Sequence, residues 1–168
     1  MLDIEAIWEK AESNPSAITP EEIQALINNR LWYVTERLET VSRNNVDEAL
    51  FDLMMLVFDS LTEKRACVLS LWETQKLSDQ LICETQAQVL TAIDGWHQTL
   101  GLHWDVGRYV QNLLFLCVLI YAANVWKDDT SADNSKVMAK IDEMIRWMKA
   151  TKTAPLDLLE KLKGMVGG

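Results

Sequence analysis

The sequence predicts an all-α protein, an antiparallel helical bundle of about seven to eight helices. Helix-forming residues dominate, whereas the 168 residues include only 6 Gly and 3 Pro, too few for a turn-rich β sandwich. Apolar residues recur at helical spacing in one segment after another, and no segment alternates with the period of a strand. Because the connections are short, neighbouring helices are expected to run roughly antiparallel.

Polar capping residues mark where the helices begin. The clearest start is the second, where Thr19 is the N-cap, Pro20 occupies the first helical position and Glu22 completes a capping box. The predicted helices, in chain order, are residues 2–13, 19–43, one from the Asn45 cap, one from Ser60 through Trp72, one from Ser78, one from Asp105 to about Trp126, one from Ser131, and a short last helix from Thr153.

Two of these helices are too apolar to lie on a surface. The third is apolar over nearly its whole circumference, which predicts burial on most sides. Residues 113–125 form the most apolar stretch, but it is short for a membrane span and contains Asn124. We therefore predict a buried helix and no transmembrane segment, with a membrane-inserted helix as the alternative.

The charge and the first residues restrict the class of protein. The formal net charge is −9, and no basic patch interrupts it, so we expect no direct nucleic-acid binding by this chain. The N-terminus, residues 1–5, is acidic and lacks the basic and apolar regions of a signal peptide, which predicts a cytoplasmic protein.

No catalytic constellation is recognisable, so we predict a protein that is not an enzyme and has no cofactor. The phosphate-binding loop, the dinucleotide fingerprint, the nucleophile elbow and the His-Glu-x-x-His zinc motif are all missing. Asp94 and His97 lie one turn apart, but two ligands on one helix are not a metal site, and we interpret them as a surface pair. A helical enzyme using Asp52 and Asp59 is an alternative, although both are more simply solvent-facing.

The three cysteines show no motif spacing. Cys67, Cys83 and Cys117 each sit among apolar residues of a predicted helix. We expect buried, reduced thiols.

Seven tryptophans are the unusual feature of the composition. Most are expected to fill the core. Trp72 and Trp96, together with the aromatic and methionine residues of the third helix, are also suited to an adaptable apolar pocket. Core packing without a cavity is the alternative.

The last two long helices carry more apolar surface than one face of a small bundle needs. On the sixth helix this surface includes Phe115 and Trp126, with Ala122 allowing close approach, and on the seventh it includes Ile141 and Ile145. Two such helices from each of two subunits would form a four-helix interface with twofold symmetry. The alternative is that the terminal helices cover these faces.

Two segments resemble a known family. Residues 50–61, LFDLMMLVFDSL, resemble the start of the C-terminal regulatory domain in a proteobacterial subgroup of TetR-type repressors. Residues 126–131, WKDDTS, followed by Met138 and Ile141-Asp142, look like the loop and final dimerisation helix of the same subgroup. That subgroup is similar to the lipid-binding accessory protein of mitochondrial ubiquinone biosynthesis. The resemblance covers roughly residues 20–150.

The resemblance implies a helical domain that holds a small apolar or lipid-like ligand and forms a homodimer. Carried over by position, the residues near the ligand would be Phe51, Met55, Phe58, Trp72 and Trp96, and those near the dimer contact Phe115, Ala122, Trp126, Ile141 and Ile145. We accordingly divide the chain into an N-terminal helix and linker (1–18), a ligand-binding and dimerisation domain (19–150) and a C-terminal helix and tail (151–168).

One part of the family pattern is missing. Residues 1–45 contain nothing like the basic three-helix DNA-binding unit of a repressor, so either that unit was lost or the chain is a fragment. The predicted function is that of a non-enzymatic binding domain without its own DNA-binding unit. The alternative is a protein–protein interaction module, the partner of a regulator or an enzyme, with no ligand cavity.

Overall fold

The computed structural model describes residues 2–77, 84–103 and 107–150, with side chains as far as residue 148. Within these ranges it contains helices and turns but no strand, which confirms an all-α helical bundle. The α-helices are α1 (Ile4–Ser13), α2 (Pro20–Thr35), α3 (Val46–Glu63), α4 (Arg65–Glu73), α5 (Gln86–Leu100), α6 (Arg108–Asp128) and α7 (Ser135–Ala150). Short 3-10 turns cover Pro15–Ala17 and Leu38–Thr40.

The predicted N-caps of α2 and α3 are confirmed. The Glu22 amide donates to the Thr19 hydroxyl at 3.3 Å, and the Thr19 amide donates to the Glu22 carboxylate at 2.8 Å, which completes the capping box. At α3 the Glu48 amide donates to the Asn45 side chain at 2.9 Å. Each cap satisfies amides that the first helical turn leaves without an intrahelical acceptor.

Helix α2 is shorter than predicted, because it ends at Thr35 rather than near residue 43. The chain continues through the 3-10 turn Leu38–Thr40; Leu38 at its start and Val41 directly after it are both buried. The spacing of three residues between Leu38 and Val41 suits a 3-10 turn as well as an α-helix. The apolar pattern therefore continues past the end of α2 and does not reveal where the α-helix ends.

Two other helices do not begin at the residues predicted from the sequence. Ser60 does not begin a helix: it lies within α3, where its hydroxyl donates to the Val57 carbonyl at 2.6 Å. Helix α7 begins at Ser135 rather than Ser131, directly after Asn134 in the left-handed region at φ 55°. The predicted starts at Ser78, Asp105 and Thr153 lie outside the described residues.

The helices share one apolar core. Helix α3 packs against α2 and α7, α6 packs against α5 and α7, and α1 packs against α4 and α2. The most buried large side chains of the core include Leu53, Phe58 and Phe115. Helix α1 contributes Ile7 and Trp8 to this core.

Helix α6 combines a long span with a largely apolar composition. By length and composition it is the one helix in residues 2–77, 84–103 and 107–150 that could cross a membrane, and half of its most apolar stretch is buried within the fold. The core helix of a soluble protein satisfies the same criterion.

A polar junction centred on Trp126 fixes the ends of four helices. The Trp126 indole N–H and the Asn134 amide each donate to the Thr62 hydroxyl at 3.0 Å. The Arg65 guanidinium donates to the Trp126 carbonyl at 2.8 Å and lies 4.5 Å from the Trp126 ring centroid. This Trp126 junction therefore links α3, α4, α6 and the start of α7, and places a positive charge at the C-terminus of α6, where the helix dipole favours it.

Asp129 organises the turn between α6 and α7. Its carboxylate is 1% exposed and accepts hydrogen bonds from the amides of Ser131, Lys136 and Val137 at 2.9–3.2 Å. Burial acts to raise the pKa of this carboxyl, but the hydrogen bonds outweigh it and hold the pKa below the usual value. Asp129 thus supplies the acceptors that the first turn of α7 requires.

We expect Thr62→Val to destabilise the protein by about 2 kcal/mol, because it leaves the Trp126 and Asn134 donors buried without their acceptor. Urea denaturation followed by far-UV circular dichroism measures this loss. Thr62→Ser keeps the hydroxyl and is the matched control, expected to retain most of the stability. Equal stability of the valine variant and the wild type would show that the junction contributes nothing.

Candidate functional site

A cavity of about 170 Å³ lies where α2, α3, α4, α5 and α6 converge, and Trp8 of α1 forms part of its wall. The atoms that face the space are carbon almost throughout. The lining residues are Trp8, Ile23, Leu26, Ile27, Arg30, Leu31, Val34, Val57, Phe58, Ser60, Leu61, Val68, Leu71, Trp72, Leu77, Val89, Ile93, Trp96, Leu116, Leu119, Ile120 and Ala123.

Each helix contributes to the wall through an apolar stripe at helical spacing. On α5 the stripe is Val89, Ile93 and Trp96, which are separated by four and three residues and therefore lie on one face. Helices α2 and α6 contribute in the same way. A space remains because the stripes of different helices meet around a centre that their side chains do not fill.

The structure brings together three of the five predicted ligand residues. Phe58, Trp72 and Trp96 line the cavity. Phe51 and Met55 are half-buried and pack against the core, but they are not part of the wall. The cavity contacts only the C-terminal half of α3. Phe51 lies two helical turns before the wall residue Phe58, roughly 10 Å away along the helix axis.

The sequence prediction missed the contributions of α1 and α2. The apolar stripe of α2 was visible as a helical pattern, and Trp8 was visible as a core candidate. Such a pattern indicates which face of a helix is covered, but it does not distinguish a face against a neighbouring helix from a face against a cavity.

Several polar side chains of the lining residues have partners within the protein. The Trp96 indole N–H donates to the Thr35 hydroxyl at 2.9 Å, and the Trp8 indole N–H donates to the Asn29 side chain at 3.4 Å. The Ser60 hydroxyl donates to a carbonyl of its own helix. These bonds explain how a wall that contains several polar side chains presents almost only carbon to the space.

Arg30 is the charged residue of this wall, and its charged end has partners on α3. The guanidinium donates to the Ser60 carbonyl and to the Glu63 carboxylate, both at 3.0 Å, and it lies 5.3 Å from the Trp8 ring centroid. The stem of Arg30 therefore lines the cavity while the charge supports the C-terminal turn of α3.

One side of the cavity reaches the surface of the described structure. Leu31, Trp72, Leu77 and Leu116 are half-buried, and Ile120 is 40% exposed. The opposite wall, which includes Phe58, is fully buried. The outer stripe of α6 and the end of α4 thus bound the open side.

The five residues predicted at a dimer contact lie in the core of the single chain. Phe115, Ala122, Trp126 and Ile141 have no exposed surface, and Ile145 is 6% exposed. They are covered by the packing of α6 and α7 within the chain. In this fold a dimer contact on these helices would have to use other side chains.

The pair Asp94 and His97 is not a surface pair, so that interpretation is wrong. His97 is 2% exposed, its Nδ1 lies 2.8 Å from the Asn112 side-chain oxygen, and its ring packs edge-on against Phe115. The Asn112 amide in turn donates to Asp94 at 2.8 Å, and Arg108 pairs with the same carboxylate. This network ties α5 to α6.

The electrostatics of this network follow from its contacts. Hydrogen bonds from Arg108 and Asn112 hold the pKa of Asp94 well below its usual range. Burial lowers the pKa of His97, although Asn112 and Asp94 act in the opposite direction.

The other groups considered for chemistry lie outside the cavity wall. Asp59 is exposed and Asp52 is half-buried. Cys67 is buried and Cys117 half-buried, and neither forms a disulfide, whereas Cys83 lies outside the described residues. In the part of the chain that the structure describes, no three His, Cys, Asp or Glu side chains are grouped so as to hold a metal ion.

Comparisons with known protein families, with curated proteins and with solved structures found no match for this chain. The resemblance to TetR-type regulatory domains therefore stays a prediction that depends on its two sequence segments.

We expect His97 to make stability depend on pH. The unfolded chain binds a proton at this histidine near pH 6.5 and the folded chain does so only at lower pH, so the free energy of unfolding should fall as the pH falls below about 6.5. His97→Gln cannot titrate and should weaken this dependence between pH 7.5 and 5.5, as measured by urea denaturation. His103→Gln, at an exposed position, should keep the wild-type slope. An unchanged slope in His97→Gln would contradict this assignment.

Proposed function

We propose that this chain is a non-enzymatic helical binding domain that takes a small apolar or lipid-like ligand into its central cavity. The observation that carries the proposal is the carbon-lined space of about 170 Å³ with Trp8, Trp72 and Trp96 in its wall. An engineered apolar cavity of about 150 Å³ in another protein stays dry and binds benzene. A ligand that inserts one ring or a short alkyl segment matches this size.

The energetics of an unfilled apolar cavity support the same function. Its lining atoms lack dispersion partners on one side, and a ligand that fills the space restores those contacts. Such a ligand binds the folded chain and not the unfolded chain, so it raises the free energy of unfolding by mass action. The cavity also favours ligand binding over the alternative of an interaction module with a filled core.

The resemblance to TetR-type regulatory domains agrees with this proposal, since that family holds its ligand between the central helices. Three residues of the predicted ligand set, Phe58, Trp72 and Trp96, lie in the cavity wall. No DNA-binding function is proposed for this chain, whose net charge is −9.

We expect toluene to bind saturably and to change tryptophan emission, because three tryptophans contact the cavity. Ala123→Phe should weaken binding by tenfold or more, on the order of 1.4 kcal/mol, since Ala123 is a half-buried residue of the cavity wall and a ring there occupies the space. Isothermal titration calorimetry measures the affinity. Ala139→Phe introduces the same ring at an exposed position of α7 and is the control. Absence of saturable binding to the wild type would overturn the proposal.

A second proposal is that the chain forms a homodimer through the face of α6 that borders the open side of the cavity. Tyr109, Leu113, Leu116 and Ile120 follow one another at intervals of four, three and four residues, and therefore form one stripe. Tyr109 is 69% and Ile120 is 40% exposed, although both are large and apolar or aromatic. A stripe of this kind on a soluble surface is typical of an interface.

In sedimentation velocity we expect the wild type to be dimeric at micromolar concentration. Ile120→Asp should raise the dissociation constant roughly tenfold or more, because an unpaired carboxylate would be buried on each side of a twofold axis. Val46→Asp places the same charge at an exposed aliphatic position of α3 and should leave the dimer intact. A wild type that stays monomeric at all concentrations would contradict the homodimer and favour the interaction-module alternative.

A further inference from the structure

The cavity wall offers a ligand few groups with which to form a hydrogen bond. The indole N–H groups of Trp8 and Trp96 donate to Asn29 and Thr35, and the Ser60 hydroxyl donates to a carbonyl of α3. Trp72 is the remaining tryptophan of the wall; it is half-buried and belongs to the side that reaches the surface. The enclosed part of the cavity is therefore chemically uniform.

Arg30 lies beside the cavity, and a cation in that position suggests an anchor for an anionic headgroup. The contacts of its guanidinium argue against that role. Its guanidinium already donates to the Ser60 carbonyl, the Glu63 carboxylate and the Asn29 side chain. The wall surface is carbon almost throughout, so the stem of Arg30 faces the cavity and the charged end does not. The net charge of −9 also disfavours an anion.

We infer that the cavity selects its ligand by exclusion: it admits an unsubstituted hydrocarbon ring or alkyl segment and rejects one that bears a hydroxyl group. This inference rests on the proposed function and names the chemical class of the inserted part. A hydroxyl group that enters the cavity gives up its hydrogen bonds to water, and the described residues of the wall offer it almost no polar surface in return. Specificity then comes from a penalty on the wrong ligand rather than from an added contact with the right one. A polar group of a larger ligand stays at the open side, near Trp72.

Toluene and phenol test the inference, because they have nearly the same size and shape and differ by a methyl group in place of a hydroxyl. We expect the dissociation constant of phenol to exceed that of toluene by tenfold or more. Isothermal titration calorimetry measures both constants, and competition between the two compounds shows whether they share the cavity.

A pair of matched variants shows whether the wall causes the selection. Val57→Thr replaces a half-buried wall residue of α3 by one of nearly equal volume that carries a hydroxyl. It should reduce the phenol-to-toluene ratio of dissociation constants at least threefold. Val46→Thr makes the same change at an exposed position of α3 outside the wall and should leave the ratio unchanged. Thermal unfolding of both variants verifies that they are folded.

The outcomes separate this inference from the proposed function. Strong toluene binding, weak phenol binding and a ratio that falls only in Val57→Thr support it. Comparable affinities of toluene and phenol, or a ratio that responds equally to both variants, overturn the selection by exclusion and leave an apolar binding site in place. If neither compound binds, the proposed function fails and the inference fails with it.

Discussion

The Trp126 junction is the interaction on which the rest of the structure depends. Trp126 has no exposed surface, its indole N–H is accepted by Thr62, and Arg65 both stacks on its ring and caps the end of α6. The ends of α3 and α6 are thereby held together. Phe58 lies one turn before Thr62, and Ala123 lies one turn before Trp126, so the cavity wall begins directly beyond the junction on both helices.

A second constraint is that buried polar groups must be paired, and the fold meets it without using the cavity. Asp129 accepts the amides that begin α7, His97 contacts Asn112 between α5 and α6, and Arg30 supports the end of α3. Because these partners lie between helices rather than in the central space, the space is left to carbon. The groups that stabilise the bundle are therefore also the reason that the described wall of the cavity presents almost only carbon.

The sequence predicted one set of ligand-binding residues and one set of dimer-contact residues, and one physical reason explains where the structure places them. Phe58, Trp72 and Trp96 lie in the cavity wall, whereas Phe51 and Met55 pack elsewhere in the core. The residues predicted at a dimer contact are covered by packing within the chain, and the exposed apolar surface of α6 includes Tyr109 and Ile120 instead. In both sets the apolar character was evident from sequence. What covers an apolar side chain depends on how helices distant in the chain are arranged, and periodicity carries no information about that arrangement.

The sequence by itself determined the fold class and the caps that begin α2 and α3, because these depend on local hydrogen bonding and on the spacing of apolar residues along one helix. Tertiary structure decided where α2 ends, since a 3-10 turn and an α-helix both satisfy the spacing of Leu38 and Val41. It also decided the burial of His97, which follows from the contact of α5 with α6. The cavity belongs to the tertiary structure alone: it is a volume left between six helices, and no local stretch of sequence contains a volume.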